Sequence, residues 1–473
     1  MSAAGRNIGV LVAGGGMAGL CAALSAGEAG ADVTVLEKGQ VVGGSARLSG
    51  GVIFTFSDLP ALRRNIPEGD EELQQLLAGE FVESLAWLES HGVPLGPAQP
   101  LLGEGWGRVM GVGDPGRRGA FLEALRTRAE ALGARVLNRR ALTSLELSDP
   151  GQLVVRVASP EGAETWRARA LVLATGGYQG NRELLARFLG PASDHLLIRS
   201  CPTCTGDGFL AALEAGAAAS RGLGSFYGHT MPATSVPPEE WQTITPYFAS
   251  VGVLVNRHGN RFTDESVGTI EEANAWAGMQ QPGGRYYLII DRRIYREHVL
   301  GPGFLGGVVP APNKWERARE LGAPTLEAPT LGELVRQMEA RWEVNGQRLS
   351  AELDAYNRAV AESRGATLLP PRARYQRPLG EPPYYAMACV AAITFPYGGL
   401  RVDADCRVIH RGGYPLPGLY AAGVDAGGVF NRIYAGGLAW ALVSGRAAGR
   451  NAALAALGKE EWGRSALCSW PVL

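Results

Sequence analysis

Gly14, Gly16 and Gly19 fit the spacing G-x-G-x-x-G, and Glu37 follows 18 residues beyond the last of them. These residue types at this spacing can hold a dinucleotide. Gly14 permits a tight turn, Gly16 lets the backbone approach a pyrophosphate, and Gly19 lets a helix pack close to a strand. The N–H groups and positive dipole end of the helix that follows favour phosphate. Glu37 can accept hydrogen bonds from a ribose. A glycine run alone is equally well an ordinary loop, so the flanks decide. Residues 8–12 read as a strand, 20–29 as a helix and 33–36 as a second strand. Together they form a dinucleotide-binding βαβ unit.

A second cluster follows at once. Gly43, Gly44, Ser45, Ser49, Gly50 and Gly51 form a loop rich in N–H and hydroxyl donors. Such a loop can wrap a pyrophosphate and pass under a flat ring, or it is a plain Gly/Ser turn. Cys201 and Cys204 have C-x-x-C spacing, which suits a redox pair or half a zinc site. No second C-x-x-C exists, and the six histidines form no ligand cluster. We read the pair as two thiols and expect no metal.

Composition narrows the classes. With 473 residues the chain can bury a large core in two or three domains. Its net charge of −1 favours neither nucleic acid nor an anionic membrane surface. Glycine makes up 66 of 473 residues, roughly twice the usual share, which points to many close backbone approaches. No apolar run reaches the ~18 residues that span a bilayer. The sequence enters its first strand without a charged-then-apolar leader, so the expected location is cytoplasmic.

Other elements follow from periodicity. Leu73, Leu76, Leu77, Phe81, Leu85 and Leu88 recur at helical spacing over 71–90, and Asp70 is placed to cap that helix. Residues 119–132 predict another helix, 135–137 a strand, and 141–147 with 153–158 a hairpin around Asp149-Pro150-Gly151. Residues 170–174 read as a buried strand ending at Thr175-Gly176-Gly177. Asp207 lies in Thr205-Gly206-Asp207-Gly208, just before a short helix. The stretch 241–369 has a different character, with charged helices at 331–344 and 349–363, and reads as an insertion. The expected division is 1–240, 241–369 and 370–473, with a closing helix from Leu438.

Taken together, these segments resemble the fumarate reductase/succinate dehydrogenase flavoprotein family. The resemblance rests on Gly14 to Gly19, Glu37-Lys38, Gly43-Gly44-Ser45, Ala174 to Gly177, Thr205 to Gly208, Pro417 to Gly423, Asn431-Arg432 and Ala435-Gly436-Gly437. That family includes fumarate reductases, tricarballylate dehydrogenases and 3-ketosteroid dehydrogenases. The resemblance implies an α/β Rossmann-like FAD-binding domain, discontinuous in sequence, with an inserted α+β capping domain. It implies FAD bound by Gly14, Gly16, Met17, Ala18, Gly19, Glu37, Lys38, the 43–51 loop, Val136, Thr175, Gly176 and Asp207. Asp425 would hold the ribityl chain. The helix start at Gly437 and Leu438 would put N–H groups near the pyrimidine carbonyl. Succinate dehydrogenases tether FAD through a His in the Gly-Gly-Ser region. Here Arg47 and Leu48 stand there, so FAD is expected to be non-covalent.

Departures from the family matter as much. Soluble fumarate reductases carry a proton-donating Arg a few residues after a segment like 260–265; Thr269 occupies that place here. Their carboxylate-binding His before the late glycine segment is replaced around 394–397. Arg432 and His229 are what remains of that substrate set. In 3-ketosteroid dehydrogenases a late-loop Tyr and a backbone N–H four residues on polarise the substrate ketone. Tyr434 and Leu438 match that pair. The base would be a tyrosine, with Tyr227, Tyr247 and Tyr397 as candidates and His229 as a fourth. Each is equally an aromatic packed in the interior. Arg432 would bind a substrate carboxylate or an acid of the cap such as Asp264 or Glu265.

The expected activity is therefore α,β-dehydrogenation of a cyclic ketone, with or without a carboxylate. A di- or tricarboxylate oxidoreductase is the alternative, and a flavin-binding protein without turnover the third. The expected partners are a small-molecule substrate and an electron acceptor of unspecified class.

Overall fold

The computed structural model describes residues 6–101, 103–110, 119–149, 152–267, 272–301 and 313–459. Thr269, Cys468 and the turn residues Pro150 and Gly151 lie outside them. Two sheets organise the chain. The first has eight strands, with the path Arg407–Ile409, Pro415–Ala421, Gly162–Leu173, Arg6–Ala13, Val33–Glu37, Arg135–Asn138. From Pro415–Ala421 to Arg135–Asn138 every neighbour is parallel. Parallel strands are covered on both faces, which requires apolar runs. Val33 to Glu37 are accordingly all buried, and Ala170 to Leu173 are fully so. The hairpin Ala141–Asp149 and Gln152–Ser159 pairs onto Gly162–Leu173, which is long enough to serve three neighbours.

The helix Met17–Glu28 follows the first strand, and the closing helix Gly437–Ala456 packs along it. The approach is close because the facing positions are small. A Cβ on Gly445 would lie 2.5 Å from the Ala18 carbonyl oxygen, and one on Gly449 would lie 2.2 Å from that of Ala22. Glu71–Ser90 is a helix whose N-cap, Asp70, accepts the Leu73 N–H.

The second sheet has six strands built around the thirteen-residue Tyr384–Pro396. Leu197–Ile198, Phe226–Pro232, Arg285–Asp291 and Thr325–Ala328 pair with that strand directly, and Val253–Asn256 lies beyond Arg285–Asp291. This sheet reaches outside 241–369 at both ends. The composition shift marks the charged helices Leu331–Trp342 and Gly346–Ala361, whereas the sheet strands are as apolar as those of the first unit. Within this part, Glu265 is fully buried between Arg261 at 2.6 Å and Arg372 at 3.0 Å.

The helix–helix approach makes a paired prediction. Gly449→Ala should cost about 1–3 kcal/mol, because the new methyl meets backbone. Gly79→Ala, in an exposed helical position with nothing within 4 Å, should gain about 0.4–1 kcal/mol. Denaturant unfolding measures both, and a neutral Gly449→Ala would show that the helices do not meet there.

Candidate functional site

The C-terminal end of the first sheet opens into a cleft. The glycine turn forms its first wall. Gly14 has φ +112°, and a Cβ there would lie 2.1 Å from the Ala174 carbonyl oxygen. A Cβ on Gly19 would lie 1.8 Å from the Gly14 carbonyl oxygen, whereas one on Gly16 would meet only the Gly43 carbonyl oxygen, at 3.9 Å. The helix Met17–Glu28 starts at the cleft with no side-chain cap and no acid in its first turn. The helix Gly437–Ala456 does the same from the other side. Two positive helix ends therefore face one cavity. Glu37 closes the wall. Its Oε2 accepts the Gly15 N–H at 2.9 Å and its Oε1 the Gly39 N–H at 2.6 Å. Burial pushes its carboxyl up, and the two amides oppose that shift. Lys38 reaches Thr205 Oγ1 at 2.7 Å and Asp207 at 2.9 Å, tying the second strand to the 203–207 loop.

Gly14, Gly16, Met17, Ala18, Glu37, Lys38, Gly43, Gly44, Ser45, Ser49, Gly50, Thr175, Gly176, Asp207, Gly437 and Leu438 line this cleft. Four expected cofactor residues do not. Gly19 lies within the helix, packed on Gly14. The Gly51 N–H donates to Ser49 Oγ and its carbonyl takes the Met110 N–H. Val136 pairs beside Val35 in the sheet, and the lining passes instead to Arg140, Ala141 and Leu142. Asp425 is fully buried, and its carboxylate accepts from Thr175 N, Thr175 Oγ1 and Gly177 N. It braces the Thr175–Gly177 turn from behind rather than facing the cavity.

The far end of the cleft is aromatic. Tyr434 stacks on Tyr227, with centroids 3.8 Å apart and planes 8° apart. Phe54 and Phe395 meet Tyr434 edge-on. The Tyr227 hydroxyl and His229 Nε2 are 2.9 Å apart. Burial, with Arg199 adding to it, holds His229 well below the usual histidine range. Burial also pushes the Tyr227 and Tyr434 phenols up. All three are neutral near pH 7. Tyr247 lines the same end, but its hydroxyl accepts from Arg199 at 3.0 Å and donates to Gln242 at 2.7 Å. Tyr397 is buried outside the lining.

Arg432 departs from expectation. Its side chain is 76 % exposed and its nearest acid is Glu68, at 3.5 Å. Asp264 and Glu265 are engaged elsewhere. The residue has φ +61°, and the turn that carries Tyr434 inward points Arg432 out. Sequence reasoning missed Arg199, which lines the cleft while 5 % exposed. The signal was there: a lone charge directly after the apolar run Leu196-Leu197-Ile198. It also missed Glu272, a buried acid that accepts the Tyr434 backbone N–H at 3.3 Å. Cys201 and Cys204 line the cleft too. A bond from the Cys204 thiol brings Cys201 down to about 5, and the same bond with burial holds Cys204 up.

A family model described as FAD binding domain matches residues 9–438. The chain belongs to this family of FAD-dependent oxidoreductases that act on CH–CH bonds. It is 28 % identical over 479 residues to a probable fumarate reductase of Shewanella frigidimarina, covering 95 % of this chain and 75 % of the relative. It is 24 % identical over 480 residues to a vinyl phenol reductase of Lactiplantibacillus plantarum, covering 94 % and 96 %. In fold it is similar to a 3-ketosteroid-Δ4-(5α)-dehydrogenase of Rhodococcus jostii, with TM-score 0.71, 24 % identity and 95 % and 97 % of the two chains covered. The residues fit FAD: two acid-free helix starts face the cleft beside a glycine turn, where a Cβ on Gly16 would meet only the Gly43 carbonyl oxygen, at 3.9 Å. Among the described residues, no helix is long and apolar enough to cross a membrane.

Asp425→Asn removes one acceptor and sets an amide against the Gly177 N–H. It should cost about 1–3 kcal/mol. Unfolding of the flavin-free protein measures this loss, and an unchanged stability would mean that Asp425 does not brace the turn.

Proposed function

We propose that this flavoprotein interconverts a cyclic ketone and its α,β-unsaturated form. The observation that carries the reading is Tyr434, held at the start of the Gly437–Ala456 helix and stacked on a second tyrosine whose hydroxyl meets a neutral histidine. When bound, FAD would accept the hydride that leaves the β-carbon. Tyr434 and the Leu438 N–H hold the carbonyl oxygen, and the negative charge that grows there makes the α-proton acidic. Tyr227 takes that proton as its own passes to His229 Nε2. His229 is unprotonated and so can accept it, and because burial and Arg199 disfavour the imidazolium, the proton is held there only transiently. The same groups, run backwards, reduce an enone. Tyr247 supports the site rather than the proton path, because its hydroxyl is already committed.

Arg432, which was to hold a carboxylate in the di- or tricarboxylate alternative, is exposed. FAD is read as non-covalent, since no His lies in the 43–48 loop, and the protein as cytoplasmic, with Cys201 and Cys204 reduced. Acid precipitation should therefore leave the yellow colour in the supernatant. Colour in the pellet would show a covalent link.

Tyr434→Phe should lower kcat by about 10²–10³ with the flavin spectrum intact. A silent Tyr434→Phe, together with rapid anaerobic reoxidation of the reduced enzyme by fumarate, would overturn the reading. The pH profile adds a second check. His229 must be neutral to act, and its value lies below the ordinary 6.5. Activity should stay level as pH falls through 6.5 and drop only well below it. An acid limb at or above 6.5 would remove His229 from the proton path.

A further inference from the structure

Arg199 carries a charge that no acid among the described residues pairs with. Its Nε and Nη2 donate to Thr245 Oγ1 at 3.2 Å, Nη2 donates to the Tyr247 hydroxyl at 3.0 Å, and Nη1 makes only a 3.5 Å contact with Thr394 Oγ1. Every partner is a neutral hydroxyl. Thr245 and Tyr247 spend their own protons on the Trp241 carbonyl and on Gln242, so their lone pairs are fixed toward the guanidinium. Among the described residues no carboxylate lies within ion-pair distance of Arg199. The other buried guanidiniums, Arg261 and Arg372, share Glu265, and Glu272 is turned to the Tyr434 amide. A buried cation without an anion is costly. This one lines the cleft at the aromatic end, with its Nη1 edge the least satisfied. A planar guanidinium held by its other edge is suited to receive a carboxylate.

We propose that Arg199 anchors a carboxylate of the substrate, so that the natural substrate is a keto acid or its unsaturated form, with the ketone at Tyr434 and the acid at Arg199. The inference rests on reading the aromatic end of the cleft as the substrate site. The role first given to Arg432 passes to a residue more than 200 positions earlier in the chain.

The test uses the FAD-loaded protein and four neutral or acidic probes. Benzoate and cyclohexanecarboxylate, against benzamide and cyclohexanecarboxamide, are titrated while the visible flavin spectrum is followed. The acids should bind roughly 10- to 100-fold more tightly than the amides. Arg199→Met should erase that preference, and Arg199→Lys should restore part of it, since the charge returns without the fork. Unfolding curves and the unliganded flavin spectrum show whether each variant is folded. Equal binding of acids and amides, no response to either acid, or a preference that survives in Arg199→Met would overturn the proposal. So would an Arg199→Met whose preference is intact while the flavin potential moves, because the cation would then serve the cofactor. An acid preference with no ketone or enone turnover would leave this inference standing and sink the proposed reaction. Turnover of neutral ketones with no acid preference would do the reverse.

Discussion

The approach of the helix Met17–Glu28 to the helix Gly437–Ala456 is the constraint on which the rest depends. It brings residues from the two ends of the sequence into contact through Ala18, Ala22, Gly445 and Gly449, where no larger side chain fits. Both helices start at the same cleft without acids in their first turns. Their aligned dipoles create a positive region that neither helix could supply alone. In the proposed function the first helix would serve the phosphates of FAD, and the second, with Tyr434 on the loop before it, the place where negative charge develops. One packing contact would then set both the cofactor site and the reaction site.

The second sheet completes the arrangement. Phe226–Pro232 delivers Tyr227 and His229 from one face of the Tyr384–Pro396 hub, Leu197–Ile198 leads into Arg199, and the end of the hub itself supplies Phe395. Burial then sets protonation. Neutral tyrosines and a neutral histidine sit together, with Arg199 and the buried acid Glu272 beside them. Burial lowers the effective dielectric there, so each interaction with a developing anion is stronger than in water.

Much of this was legible in the sequence. The glycine turn, Glu37, the Asp70 cap and the buried 170–174 strand follow from local patterns, because a turn or a cap is decided by a few adjacent residues. Tyr434 was legible through its place in a late glycine-rich loop. Asp425 and Arg432 were misread for a shared reason: which way a side chain points from a tight turn depends on φ and on what packs behind it. Arg199 was missed although a lone charge after Leu196-Leu197-Ile198 marked it, because the lack of a paired acid among the described residues shows only in three dimensions. The limits of the second sheet were blurred because its strands share the composition of the first.

The central claim is that a ketone oxygen sits between the Tyr434 hydroxyl and the start of the closing helix. A crystal structure of the FAD-loaded protein with a cyclic enone carboxylate bound measures this directly. The account predicts the enone oxygen at about 2.6–3.2 Å from both the Tyr434 hydroxyl and the Leu438 N–H, with the ring over the flavin. An enone oxygen turned away from Tyr434, with the ligand held instead by the exposed Arg432 edge, would contradict it.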